Sequence, residues 1–146
     1  MQKVISTSIV INAPVSRVWS VLTGFSGYHE WNPFIIKAEG KGEIGQLLAL
    51  TLQAPGMKPF HIKPRIIKRK PEKTLVWLGH LWFRGLFDGE HIFELIEQAD
   101  GTTHLIHGEK FRGILVGMMQ KMIDKNTKEA FQAMNEALKK RCETPE

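Results

Sequence analysis

Between Phe34 and Arg112 the chain shows no helical spacing of apolar residues, only alternating or apolar stretches parted by turn-forming residues, and this commits the region to a sheet. The stretches are Phe34–Glu39, Gln46–Leu52, Phe60–Arg69, Thr74–Phe83, Phe87–Glu97 and Thr103–Arg112. Gly40-Lys41-Gly42, Ala54-Pro55-Gly56, Pro71-Glu72, Arg84-Gly85 and Asp100-Gly101 break them. Such short connections require antiparallel neighbours, because a parallel pair needs a crossover of about a dozen residues. The expected topology is a meander.

The flanking segments complete the plan. Residues Val4–Ile11 alternate, with Ile5, Thr7, Ile9 and Ile11 on one side, which predicts a first strand with one buried face. Asn12-Ala13-Pro14 then offers a cap and an early proline, and Val15, Val18, Trp19 and Leu22 follow at helical spacing, so a short helix should run to about Thr23. Gly24, Gly27 and the Asn32-Pro33 step leave room for one further short helix or turn over Phe25–Trp31. Ile114–Arg141 lacks proline and places Leu115, Met118, Met119, Met122, Ile123, Ala130, Phe131, Met134 and Leu138 at helical intervals. That pattern predicts one amphipathic helix roughly 40 Å long. A sheet must cover its apolar face, and this helix is the large element available to do so. The expected fold is therefore α+β: a curved seven-stranded antiparallel sheet wrapped around a long C-terminal helix, with two short helices between strands 1 and 2, in a single domain over residues 1–146.

The lone cysteine, Cys142, has no intrachain partner, so the default expectation is a reducing, cytoplasmic setting. The N-terminal alternation does not resemble a signal peptide, and no apolar stretch approaches the ~20 residues of a membrane span. A net charge of +5 and the runs Lys63–Lys73 and Lys139–Arg141 raise the question of nucleic-acid binding. However, Lys68, Arg69, Lys70 and Lys73 flank Pro71-Glu72 as in a solvated turn, and no zinc-finger or RNA-binding signature accompanies them. Nucleic acid is not an expected partner.

Several motifs carry a family resemblance. Ile11-Asn12-Ala13-Pro14 followed by Val18-Trp19, then Trp31-Asn32-Pro33-Phe34, a meander and a long final helix resemble the START-like, or SRPBCC, superfamily with its helix-grip fold. Leu86–Phe93 and Gly108–Gly113 are similar to its polyketide cyclase/dehydrase branch. The resemblance covers almost the whole chain. It implies a cavity between sheet and helix, and a superfamily that includes lipid and hormone carriers, aromatase/cyclases and oxygenase domains; fold alone does not choose among these.

Alternation also predicts which side chains enter such a cavity. In Phe87–Glu97, His91 shares a face with Phe93 and Leu95; in Thr103–Arg112, His107 and Glu109 share one with Leu105 and Phe111. If the apolar face is inward, a carboxylate and two imidazoles meet inside an apolar shell. They could form a structural polar network, orient a ligand's carbonyl or hydroxyl, or act as an acid/base pair. Trp31, Phe34, Phe60 and Trp77 are expected around the same space, with Met119, Ile123 and Met134 from the helix. His61 and His80 fall opposite the apolar residues of their strands and should face solvent. The ligand types for a metal are present without a compact metal motif, and there is no Gly-rich phosphate loop or nucleophile elbow, so neither metal nor cofactor is expected. The favoured reading is a carrier or sensor of a small hydrophobic molecule such as a lipid; the alternative is a cyclase- or dehydratase-like enzyme using Glu109 with His91 or His107. Apart from that ligand, the only partner entertained is a second copy of the chain, as a homodimer.

Overall fold

The computed structural model describes residues 2–81, 85–119 and 123–145. Strand β1 (Gln2–Ile11) buries Ile5, Thr7 and Ile11 on the face that alternation selects. Helix α1 (Val15–Thr23) follows, burying Val18, Trp19 and Leu22 at the expected spacing, and Phe25–Glu30 forms a 3-10 helix. The Tyr28 hydroxyl in that turn donates to the Leu22 carbonyl, which fastens the turn to α1. Strands β2 (Ile35–Glu39), β3 (Ala49–Leu52) and β4 (Phe60–Ile62) form one antiparallel sheet in that order. Strands β5 (Arg65–Lys70), β6 (Thr74–Leu81), β7 (Phe87–Glu97) and β8 (Thr103–Arg112) form a second, in which β1 closes the order β1-β8-β7-β6-β5.

The expected single seven-stranded sheet is thus corrected to a five-stranded and a three-stranded sheet. The division falls at Lys63-Pro64, inside a stretch read as one strand. Proline has no N–H to give to a ladder. Residues before it pair with β3 and residues after it pair with β6. The two sheets remain joined beside the break: Leu48 N–H donates to the Pro64 carbonyl at 2.8 Å, and Ile66 N–H to the Gln46 carbonyl at 2.9 Å.

The C-terminal helix is also shorter than its pattern suggests. Helix α2 covers Lys128–Glu143, preceded by a π-helical turn at Ile123–Thr127. Residues 114–119 are turns instead of helix. Gly113, at φ +129°, redirects the chain as it leaves β8, and Leu115 N–H bonds back to the Leu86 carbonyl at 3.1 Å. A side chain at Gly113 would stand 2.4 Å from that carbonyl oxygen, so the turn needs glycine twice over. The segment sends Val116 inward and leaves Ile114 and Met118 exposed, which no continuous helical stripe would do. Trp82, Phe83 and Met122 lie outside the described residues.

Helix α2 turns Ala130, Phe131, Met134, Leu138 and Cys142 into the core and packs along β1 and β8 and against α1. Burial pushes the Cys142 thiol up to about 11, away from the reactive thiolate. Among the described residues, no helix is long and apolar enough to cross a membrane.

Candidate functional site

His91 lies in the middle of β7 directly opposite Glu109 of β8, and Phe93 lies opposite His107. Since alternate residues share a face, register alone carries all four side chains to the inner side of the large sheet. His91 Nδ1 is 2.6 Å from Glu109 Oε1 and its Nε2 is 2.7 Å from His107 Nε2. His107 Nδ1 is 2.7 Å from Asn135 Oδ1 on α2. Asn135 Nδ2 donates to the Thr7 hydroxyl at 2.8 Å, and that hydroxyl donates to the His107 carbonyl at 2.8 Å. One chain of hydrogen bonds therefore links β7, β8, α2 and β1.

The imidazoles sit between aromatic walls. His107 stacks on Phe93 and on Phe131, with centroids 4.5 and 4.4 Å away. His91 stacks on Trp77 at 4.9 Å, with Phe34 more distant at 6.3 Å. His107 has no exposed surface and His91 is 4% exposed. Water cannot solvate a charge on either ring. Burial lowers the His91 pKa to about 3 and takes His107 well below its usual value, with the neighbouring His91 adding to the effect. Glu109, its side chain 15% exposed, is raised by burial to about 8. Burial thus favours the uncharged form of all three groups at neutral pH, which makes Glu109 a carboxylic acid.

Glu109 forms part of the wall of a cavity of about 140 Å³ between the two sheets. From the small sheet and its loops come Phe34, Ile35, Leu50, Leu52, Met57 and Phe60; from the large sheet come Trp77, His91, Glu109 and Phe111; Met119 and Phe131 close the side nearest α2. Phe34 is held there by Asn32, whose Oδ1 accepts the backbone N–H of both Phe34 and Ile35 at 2.9 and 2.8 Å. Gly89 supplies bare backbone to the wall. A Cβ at that position would stand 2.2 Å from Glu109 Oε2, so the absent side chain is what makes room for the carboxyl.

Of the residues selected from sequence, His91, Glu109, Phe111, Phe34, Phe60, Trp77 and Met119 line this cavity. Phe93, His107 and Met134 are buried behind it: His107 is the inner member of the histidine pair, Phe93 stacks on it, and Met134 belongs to the inner stripe of α2. Trp31 does not belong to the cavity. The 3-10 helix turns it against Tyr28 and into a groove beside Arg17 and Arg141. The side chain of Ile123 lies outside the described part of the chain. His61 is exposed as expected, with Thr51 Oγ1 3.0 Å from its ring. His80 is exposed as expected; it stands at the cavity's edge, its Nδ1 2.8 Å from Asp88 Oδ1. Sequence reasoning missed Met57, Gly79 and Gly89 among others, and it did not recruit Thr7 and Asn135 into a polar chain. A polar residue on each of two otherwise apolar stripes was the available signal. Among the described residues, no group of three metal-ligating side chains is arranged to hold a metal ion.

The family model described as polyketide cyclase / dehydrase and lipid transport matches residues 2–143. Among solved structures, the Zhui aromatase/cyclase from Streptomyces is similar with a TM-score of 0.79 and 17% identity, covering 98% of this chain and 94% of that one. Norcoclaurine synthase from Thalictrum flavum, in complex with dopamine and hydroxybenzaldehyde, is similar with a TM-score of 0.75 and 16% identity over 100% and 90% of the two chains. A START superfamily protein from Mycobacterium smegmatis has a TM-score of 0.75 and 16% identity over 96% and 97%. At these identities the likeness is one of fold. No curated protein sequence matches the chain.

Proposed function

As the chain belongs to the polyketide cyclase / dehydrase and lipid transport family of the START-like superfamily, we propose that it binds a small, largely apolar molecule in the cavity between its sheets, with Glu109 as the polar anchor. The observation that carries this reading is the Glu109 carboxyl, set in the wall of a space lined mostly by apolar and aromatic side chains. Pockets of this make-up hold a ligand by shape and orient it by a few polar groups. The volume of about 140 Å³ sets the scale. An apolar cavity of about 150 Å³ accommodates one benzene ring, whereas drug-sized ligands need about 300 Å³ or more. One ring with a polar substituent fits this space; an extended polyketide chain or a whole lipid does not, unless the cavity expands. Met57 and Met119 in the wall are the side chains most able to yield. The ring-bearing ligands of the norcoclaurine synthase complex support the same class of ligand.

The test is calorimetric titration and thermal-shift measurement with toluene, phenol and benzaldehyde. Binding at one molecule per chain, lost in Ala54→Phe where the new ring occupies the cavity, supports the reading. Absence of binding by every ring compound rejects it.

Proton-transfer catalysis is the second reading, favoured by a carboxyl in the cavity wall that is hydrogen-bonded to a pair of imidazoles. It predicts solvent-deuterium exchange at acidic C–H positions of a bound small ketone such as acetone, abolished in Glu109→Gln. Exchange that is equal with and without protein rejects it.

A further inference from the structure

The buried hydrogen-bond chain has a direction, and its far end sets it. The Thr7 hydroxyl has one hydrogen and lies 2.8 Å from the His107 carbonyl, which can only accept. Its hydrogen goes there, so its lone pair faces Asn135 and the group across from it must be the amide N–H. Asn135 therefore turns its carbonyl to His107 Nδ1, and that nitrogen must carry a hydrogen. In a neutral ring His107 Nε2 is then bare, so the hydrogen between the two rings belongs to His91 Nε2. His91 Nδ1 is bare in turn, and the hydrogen at its contact with Glu109 sits on Oε1.

Moving that hydrogen to either ring would create a carboxylate and an imidazolium in a space walled by Phe34, Trp77, Phe93 and Phe131. Separated buried charges of this kind cost more than the neutral arrangement. The hydrogen stays on Oε1. The other carboxyl oxygen, Oε2, lies over Gly89 on the cavity wall and makes no hydrogen bond among the described residues. It is the carbonyl oxygen of the acid, a pure acceptor.

Resting on the cavity reading above, we infer that Glu109 Oε2 is a fixed acceptor for a hydroxyl or amine carried on the ligand's ring, and that Thr7, Asn135 and His107 are positioning residues that keep it so. Ligand selection then depends on a threonine in β1 and an asparagine in α2, neither of which is among the residues forming the cavity wall. A ligand offering only a carbonyl would set two acceptors against each other. Glutamine at position 109 would preserve the pattern, because its amide N–H can replace the acid O–H toward His91 while its carbonyl faces the cavity.

The experiment compares toluene, phenol and benzaldehyde by calorimetry at neutral pH in wild type, Glu109→Gln, Thr7→Val and Thr7→Ser. One hydrogen bond gained against one acceptor clash predicts phenol binding roughly tenfold or more tighter than benzaldehyde in wild type and Glu109→Gln. Thr7→Val removes the directing hydroxyl and should shrink that ratio to within about threefold, while Thr7→Ser restores it. Nitrogen-15 spectra of the ligand-free protein supply an independent readout. They should show hydrogen on His107 Nδ1 and His91 Nε2 and none on the other two ring nitrogens. Toluene binding with phenol no better than benzaldehyde overturns this inference and leaves the cavity reading intact. Failure of all three compounds overturns both. The reverse protonation pattern overturns the inference whatever binds.

Discussion

Phe131 lies nearly parallel to His107, their ring centroids 4.4 Å apart and their planes 14° from coplanar. This one side chain of α2 covers the inner histidine on one side and faces the cavity on the other. Phe131→Ala should lower stability by about 3–5 kcal/mol, the usual cost of truncating a buried phenylalanine. Denaturant unfolding checks it, and a midpoint unchanged from wild type would place α2 outside the core.

The buried trio should shape stability against pH. Glu109 has a folded pKa of about 8, above its unfolded value of 4.5, so its stabilisation is complete below pH 4.5 and is lost as pH rises towards 8. His91 has the opposite sign: folded near 3 against 6.5 unfolded, its stabilisation is complete above pH 6.5 and is lost as pH falls towards 3. His107, also lowered, adds to the acid-side loss. The cluster therefore favours a stability maximum near pH 6.5, with a decline to pH 8 owed to Glu109. Glu109→Gln should flatten that decline and be more stable than wild type at pH 8, as read from urea midpoints between pH 5 and 9. An equally steep decline in the variant would mean that Glu109 does not titrate across this range in the fold.

Gly89→Ala tests how the carboxyl is held. The added methyl would meet Glu109 Oε2 at 2.2 Å, and the flexible side chain must swing aside. The fold should persist. Carbon-13 NMR titration of the labelled glutamate should show its pKa falling from about 8 towards the usual carboxylate range as it leaves its buried seat. A value still near 8 would show that the glycine is unnecessary.

Asn32→Ala should strand the N–H groups of Phe34 and Ile35, which share the Asn32 carbonyl oxygen. Each unmet buried donor costs about 1–3 kcal/mol. Because Phe34 lines the cavity, toluene affinity should fall in step with stability. Affinity that holds while stability drops would separate the turn from the cavity.

The strands with one clean buried face were legible from their sequences. In β1, β7 and β8, alternation identifies the inward residues, and antiparallel register then brings His91, Glu109 and His107 together. The partition into two sheets was less visible, since Phe60–Arg69 looks continuous until Pro64 is read as a missing donor. The start of α2 was hidden for another reason: Leu115, Met118 and Met119 keep helical spacing, but Gly113 and the backbone bond to Leu86 bend the chain first. Asn135 could not be tied to His107 from sequence at all. Helical spacing puts it beside Phe131 and Leu138, but only the packing of α2 across β8 decides which imidazole it meets.

Gly79 and Gly89 stand directly opposite each other on β6 and β7, and both border the cavity. Two facing positions without side chains leave a notch in a surface that is otherwise thick with rings. The hollow is thus carved by omission, and its size can be edited one methyl at a time. An added Cβ at Gly79 would meet Pro64 at 3.5 Å, an ordinary contact, so alanine there would raise the floor and leave the histidine pair alone. At Gly89 the same methyl would strike Glu109. Of these neighbouring glycines, one bounds the size of the hollow, and the other leaves room for the carboxyl in its wall.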